Sequence, residues 1–468
     1  MIFTLKDQNN FAELSKDFNP MHCDEILARR YIYGEPIVHG INAMLFAIRE
    51  WSAKYNKKFY ISKLRCKFTK AVFLNSKVSF KFKKINNSIK ISLIQNDEIK
   101  MRILMEVKGS KYQNIKIRQN DLEINTVPND ISFDELIDFK ETINFSTNLQ
   151  HAEKYYSKDF VDNIGFNQLS EIIAYSRIVG MHAPGLNSIF SELNLFENRF
   201  TSDDISFKVI SVDDRFNIIN IESQGPSFKS NIKAFYRPLQ VNQKKIEDLK
   251  EHLIPNEFKD FRALIIGASR GLGELTAKCL GHGGASLMLT YSKGKSDILN
   301  VIDDIKKYNK NVSTFQLDVT KTEDINFKII EEFKPTHVFY YATPFIFGGT
   351  RNKFSKELYK KFKIFYYEAF EVIIKKLERL NTDIYYLYPS SSAVQDKPDD
   401  MVEYSLAKKE GEELCSNLES KYSNVKIFYP RLPRLETDQT VSLSSVKNED
   451  PIQILDIIRL MNSKDLTS

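Results

Sequence analysis

Ala263-Leu-Ile-Ile-Gly267-Ala-Ser-Arg270-Gly271-Leu-Gly273-Glu-Leu275 decides the architecture of the C-terminal half of the chain. An apolar run reads as a buried strand, the glycines as a tight turn, and the residues after them as the start of a helix. That order sets a pyrophosphate on a helix N-terminus, where unpaired backbone N–H groups point at the anion. The candidate cradle is Gly267, Ser269, Arg270, Gly271, Leu272 and Gly273. A second strand, Ser286-Leu-Met-Leu-Thr290, runs into Tyr291-Ser-Lys293-Gly-Lys295 with no carboxylate at its end. A site for NAD would place an acid there for the ribose 2′-hydroxyl. Arg270, Lys293 and Lys295 suit a 2′-phosphate instead, so NADPH is favoured. Leu317-Asp318-Val319-Thr320 follows the third strand and falls near the adenine.

Downstream lie Ser390-Ser391-Ser392 and Tyr404-Ser-Leu-Ala-Lys408. Residues four apart share a helix face, so the Lys408 ammonium can lie beside the Tyr404 phenol. A neighbouring cation favours the phenolate, which makes Tyr404 a candidate acid or base near neutral pH, with Ser391 as a second hydroxyl. A Tyr and a Lys at this spacing occur by chance on any Lys-rich helix. The glycine turn upstream lifts the pair above chance. Together these motifs closely resemble the short-chain dehydrogenase/reductase family, in particular 3-ketoacyl-thioester reductases, over residues 258–468. The resemblance implies a Rossmann-type doubly wound parallel sheet. It implies that Tyr404 protonates the carbonyl oxygen, that Lys408 lowers its pKa and holds the nicotinamide ribose, and that Ser391 orients the carbonyl. Pro430, in Tyr429-Pro430-Arg431, matches the family's Pro-Gly beside the nicotinamide, with Thr437 nearby.

Three departures stand out. The family's Asn-Ala-Gly after the fourth strand reads Tyr341-Ala342-Thr343, which leaves Ala342 as the cofactor contact. The helix Asn of the family's proton relay falls at Phe365 or a neighbour, with Tyr366 or water as a substitute. The family's last strand and glycine-rich tail are not expected after Ile454-Leu-Asp-Ile-Ile-Arg-Leu-Met461. That would alter subunit packing, although a homo-oligomer is still allowed.

Nearer the start, Ser15-Lys-Asp17-Phe-Asn19-Pro20-Met-His22 is followed by Ile37-Val-His39-Gly40 and the apolar helix Ile41–Trp51. Asn19-Pro20 signals a turn that brings Asp17 and His22 to either side of a bend. A carboxylate and an imidazole there suit water activation, one taking a proton as the other gives one. The blander reading is a turn capped by Asp17 and Asn19 around a satisfied core histidine. Strand-like runs follow over 59–73, 77–85, 88–95 and 98–107, and suggest an antiparallel sheet wrapped around the helix.

This string resembles the hydratase motif of MaoC-type hot-dog proteins, which are (R)-specific enoyl-thioester hydratases and 3-hydroxyacyl-thioester dehydratases, over about residues 1–112. The resemblance implies Asp17 and His22 as the pair acting on water and the Gly40 N–H as the group polarising the thioester. Residues 113–140 read as a linker. Residues 141–240 repeat the helix-then-strands pattern loosely, with a helix at Leu169–Val179 and strands at 205–212, 216–221 and 227–236. They are expected to form a second, degenerate hot-dog unit that lacks the Asp-x-Asn-Pro-x-His string. Its His151 and His182 are expected to be structural. Residues 241–257 read as a second linker. The expected class is an α+β double hot-dog followed by an α/β domain.

Composition bounds the partners. Lys+Arg 67 against Asp+Glu 61 gives +6 over 468 residues, with the lysines scattered, so nucleic acid is not indicated. Four well-separated cysteines show no CxxC pairing and suggest a reducing compartment; no metal site is expected. No apolar run is long enough to span a membrane and the start lacks signal-peptide character, so a cytoplasmic protein is expected. The expected activity is a bifunctional NADPH-dependent 3-ketoacyl-thioester reductase and (R)-3-hydroxyacyl-thioester dehydratase on acyl-CoA or acyl-carrier-protein substrates. Two alternatives stay open. One is an NAD-dependent hydratase and 3-hydroxyacyl dehydrogenase of fatty-acid oxidation; the other is a scaffold with a non-catalytic nucleotide-binding domain.

Overall fold

The computed structural model describes residues 1–55, 57–109, 125–145, 147–198, 202, 204–443 and 446–462. It divides into two compact units, Met1–Leu239 and Gln240–Ser468.

The first unit is built on one nine-stranded sheet. Its strands are β1 (Phe59–Phe68), β2 (Val78–Ile85), β3 (Ser88–Gln95), β4 (Glu98–Gly109), β5 (Lys140–Asn144), β6 (Ser188–Glu197), β7 (Asp204–Asp213), β8 (Ile218–Gln224) and β9 (Phe228–Tyr236). The order β2-β3-β4-β1-β6-β9-β8-β7-β5 is antiparallel throughout, and β1 pairs with β6 to fuse two half-sheets into one. Each half has a central helix, Gly40–Tyr55 and Phe166–Arg177, and both are buried over most of their surface, the second with Gln168, Ser170, Glu171 and Ser176 inside the core. Several of their buried polar groups are matched, while the Ser52 and Ser170 hydroxyls are left without a partner among the described residues. Gln168 of the second helix pairs with both backbone groups of Ile61 at the bulge in β1, at 2.9 and 3.0 Å. Glu171 accepts Ser227 N–H at 2.7 Å and Phe228 N–H at 3.1 Å, closing the turn before β9. The double hot-dog expectation is met.

The edge strands are β2 and β5. Lys83 of β2 lies opposite Lys90, and Lys140 of β5 lies opposite Lys208, all four exposed.

The stretch expected as a linker over 113–140 lies outside the described residues up to 124. Its later part is packed rather than extended: Asp130 bridges Gly185, and Leu136 is buried because the core offers it apolar neighbours. Strand β6, which joins the halves, had no counterpart in the expected strand runs.

In the second unit, β10 (Arg262–Ile266), β11 (Ser286–Tyr291), β12 (Val312–Gln316), β13 (His337–Tyr340), β14 (Ile384–Leu387) and β16 (Val425–Phe428) form a parallel sheet in the order β12-β11-β10-β13-β14-β16. The order reverses direction at β10, which opens a crevice at the strand C-termini beside the Gly271–His282 helix. A small pair, β15 (Ser390–Ser391) and β17 (Arg431–Leu432), lies beyond β14 and β16. The stretch read as a second linker carries a short helix, Ile246–Leu249, whose Ile246 and Leu249 are buried in this unit's core. Among the described residues no helix is long and apolar enough to cross a membrane.

Candidate active sites

The first site is assembled around Asp17. The helix Leu5–Ser15 ends in left-handed Lys16, and the chain then turns through Asp17 to Asn19, which caps the short helix Pro20–Cys23 by accepting from Met21 N–H at 3.1 Å. The Asn19 amide donates across the unit to Gly180 O at 3.0 Å and Gly185 O at 3.1 Å. The turn is thereby fastened to the second half of the sheet. Asp17 is 2% exposed. Its Oδ1 accepts Asn19 N–H at 3.2 Å and its Oδ2 accepts the Ser176 hydroxyl at 2.7 Å. Gly180 lies so close that a Cβ there would fall 2.3 Å from Asp17 Oδ1.

His22 donates from Nδ1 to Ile37 O at 2.8 Å, which leaves the basic lone pair on Nε2. His39 stacks on it with ring centroids 3.9 Å apart. The two ring nitrogens of His39 face acceptor oxygens, Nδ1 to Gln8 Oε1 at 3.0 Å and Nε2 to Asp17 O at 3.2 Å, and the neutral ring donates to one of them. The donor atoms of Asp17, His22 and His39 lie within 4.8 Å of one another, but the commitments of His39 suit a positioning role better than metal ligation. Gly40 opens the central helix, and a Cβ there would meet the Phe68 ring at 2.9 Å. The first N–H groups of that helix have no intrahelical partner and can face an oxygen.

Burial sets the electrostatics. It pushes the Asp17 carboxyl up to about 6, against the bonds from Ser176 and Asn19. It pushes His22 down to about 4, opposed by Ile37 O. A carboxyl that titrates near neutrality beside a neutral imidazole can exchange protons in either direction.

The second site begins at the glycine turn. Gly267 and Gly271 have φ of +87° and +58°, and a Cβ on Gly273 would strike Gly267 O at 2.1 Å. Only glycines allow the strand and helix to meet this closely, and the cradle fits a dinucleotide pyrophosphate. Ser269, Leu272 and Ala342 line the same turn region, with Ala342 N 3.0 Å from the position of a Cβ on Gly267. The Arg270 side chain is engaged: its guanidinium meets buried Asp438 at 2.7 Å, and Thr437 and Asp438 lie over Gly271. The expectation that Arg270 reaches toward a 2′-phosphate therefore meets a competing carboxylate.

Ser391 and Tyr404 are brought together, and Ser391 hydrogen-bonds the phenol. Lys408 donates to Pro389 O at 2.6 Å and stands 6.0 Å from the Tyr404 ring centre. Its ammonium is nearer the ring face of Tyr366, at 3.9 Å, and of Tyr388, at 4.8 Å. The expected pKa drop at Tyr404 is reversed here: burial pushes the phenol up to about 12, against the Ser391 bond. Burial likewise pushes Lys408 down to about 7, with Cys415 and Glu412 opposing. The position of the family's relay Asn lies in a π-helical turn, Ile364–Glu368. Tyr366 from that turn hydrogen-bonds Thr343 at 2.5 Å, while its own carbonyl accepts the Tyr388 hydroxyl at 3.0 Å.

Sequence reasoning missed Ser176 and Gly180, although a Ser and a Gly four apart at the end of an apolar helix are a legible signal. It also missed Gln8, whose distance of 31 residues from His39 left no trace in the pattern. His182 is paired with Glu141 at 2.8 Å.

Residues 2–108 match the family described as MaoC like domain, and residues 262–341 match short chain dehydrogenase. Three solved structures are similar to part of the chain. The angucycline C-6 ketoreductase LanV with bound NADP is 18% identical over 46% of this chain and 92% of its own, with TM-score 0.40. A short-chain dehydrogenase of Escherichia coli complexed with NADPH is 15% identical over 45% and 95%, with TM-score 0.40. A short-chain dehydrogenase/reductase mutant of Serratia marcescens is 13% identical over 44% and 91%, with TM-score 0.39. By its two family matches the chain joins a MaoC-like domain to a short-chain dehydrogenase domain, a hydro-lyase fused to an oxidoreductase.

Proposed function

We propose that the chain performs two consecutive steps on one acyl thioester. NADPH-dependent reduction of a 3-ketoacyl group is followed by dehydration of the (R)-3-hydroxyacyl product to the 2-enoyl thioester, on coenzyme A or an acyl carrier protein. The observation that carries this reading is the Asp17 turn. A buried carboxyl whose pKa burial raises to about 6, and an imidazole with Nε2 available, sit together at the start of an amide-bearing helix. The working parts are residues 1–112 for dehydration, 141–240 as the companion half and 258–468 for reduction.

In the second site the nicotinamide would supply the hydride to the carbonyl carbon, and the whole dinucleotide would be held by the glycine cradle together with Lys293, Asp318, Val319, Ala342, Pro430 and Thr437. Tyr404 gives its proton to the carbonyl oxygen, Ser391 orients that oxygen, and Lys408 stabilises the phenolate left behind. In the first site the Gly40 N–H polarises the thioester, which acidifies the neighbouring carbon. One of Asp17 and His22 takes the proton from that carbon. The other protonates the departing hydroxyl, which leaves as water.

The oxidative alternative, with NAD, gains from one observation, the engagement of Arg270 by Asp438. The deciding experiment is purified protein with NADPH and a panel of 3-ketoacyl thioesters, products followed by mass spectrometry. Wild type is expected to accumulate 2-enoyl thioester, Asp17→Asn to stop at the 3-hydroxyacyl stage, and Tyr404→Phe to consume no NADPH. Faster turnover with NAD+ and 3-hydroxyacyl thioester would overturn the reductive direction.

A further inference from the structure

The Arg270–Asp438 pair raises the question of which cations would meet a phosphate on the adenosine ribose. Asp438 is 3% exposed, and the strap that carries it is tied down at both sides. Thr437 N–H donates to Thr440 Oγ1 at 2.8 Å, and Arg434 donates to Asn448 Oδ1 at 2.8 Å and to Thr440 O at 2.6 Å. Freeing Arg270 would break an ion pair to a buried carboxylate, which costs more than an exposed lysine would lose by turning to a new partner.

A groove on the same side of the sheet offers another set. It is lined by Lys293 and Asp318 from the ends of β11 and β12, and by Lys360, Lys361 and Phe365 from the Lys356–Lys363 helix and its π-helical extension. Asp318 is turned back on its own loop, its Oδ1 accepting Thr320 N–H at 3.0 Å and the Thr320 hydroxyl at 2.8 Å. Glu357, also on the wall, is reached by the Ser355 hydroxyl at 3.2 Å. On the same helix Lys363 turns away to Glu410, at 3.3 Å, which separates it from the two lysines that face the groove.

We propose that discrimination in favour of a 2′-phosphorylated dinucleotide is made by Lys360 and Lys361 together with Lys293. Arg270 serves as a strut that holds the Thr437–Asp438 strap over the glycine turn. This rests on the reading of the second unit as a nicotinamide-dinucleotide domain. A phosphate carrying nearly two negative charges, set among three solvent-facing ammonium groups, gains from each of them while remaining sensitive to salt.

The test is equilibrium binding to the full-length protein, NADPH and NADH by nicotinamide fluorescence and 2′,5′-ADP by calorimetry. Wild type is expected to bind NADPH more tightly than NADH. The double variant Lys360→Ala/Lys361→Ala is expected to lose roughly tenfold in affinity for NADPH and 2′,5′-ADP and little for NADH, as two exposed charge contacts would allow. Arg270→Ala is expected to weaken both dinucleotides together and leave their ratio in place. Selective loss of 2′,5′-ADP in Arg270→Ala, with the double variant unchanged, overturns the inference and leaves the dinucleotide reading standing. Equal wild-type affinity for NADPH and NADH also overturns it. Wild type that binds neither dinucleotide removes the reading itself.

Discussion

The two halves of the nine-stranded sheet began from one pattern, a buried helix followed by antiparallel strands, and they have been put to different use. The first half carries the candidate reacting groups: Asp17, His22 and the Gly40 helix start. The second half lacks the motif, yet Ser176 and Gly180 at the end of its helix touch the Asp17 carboxyl directly. A half without the Asp-x-Asn-Pro-x-His string still supplies the surface that fits around the Asp17 carboxyl, so a missing motif does not mean a missing contribution.

The sharpest way to break this comparison is Gly180→Ala. A Cβ at 2.3 Å from Asp17 Oδ1 must move the carboxylate by about 1 Å, and a shift of that size costs on the order of a hundredfold in rate. Crotonyl-thioester hydration should fall by that much, with NADPH oxidation by the second unit unaffected. Unchanged hydration would return the second half to the role of bystander.

Asp17→Asn probes the first half by stability instead. The folded carboxyl titrates at about 6 against an ordinary 3.8, so ionisation costs stability as pH rises through that window, and the cost is complete above it. The substitution should therefore raise the unfolding free energy by up to about 3 kcal/mol at pH 8, and by nothing at pH 3. Denaturant midpoints at both pH values check the sign.

Ser176→Ala should have the mildest effect. It removes a bond that favours the carboxylate, so Asp17 ionises at higher pH, and the limb of the hydration profile set by Asp17 moves up by about one pH unit. Rates on the plateau should stay within a few-fold of wild type. A uniform loss at every pH would point to misfolding around the helix end.

Much of this was legible before any coordinates. The glycine turn, the Tyr404–Lys408 spacing and the Asp17–His22 string each follow from local geometry, and local geometry is what a linear pattern records. The pKa of Tyr404 was not legible, because neighbouring charge and burial pull against each other. Only the packed site, with Tyr366 and Tyr388 in place around Lys408, shows that burial prevails. Ser176 reaches Asp17 across 159 residues, and Asp438 reaches Arg270 across 168. Contacts at that separation leave no periodicity. Strand β6 escaped for a local reason: only Glu192-Leu-Asn-Leu195 alternates cleanly, and the register shift between Phe190 and Glu192 interrupts the pattern before it.

One detail of the sheet bears on the fate of the protein at high concentration. Both open edges, β2 and β5, end in a cross-strand pair of like charges, Lys83 with Lys90 and Lys140 with Lys208. Within the fold such pairs cost a few tenths of a kcal/mol each. Toward another copy they present repelling ammonium groups along the backbone that would otherwise template strand addition. The same lysines that slightly loosen the sheet guard it against growing into a fibre.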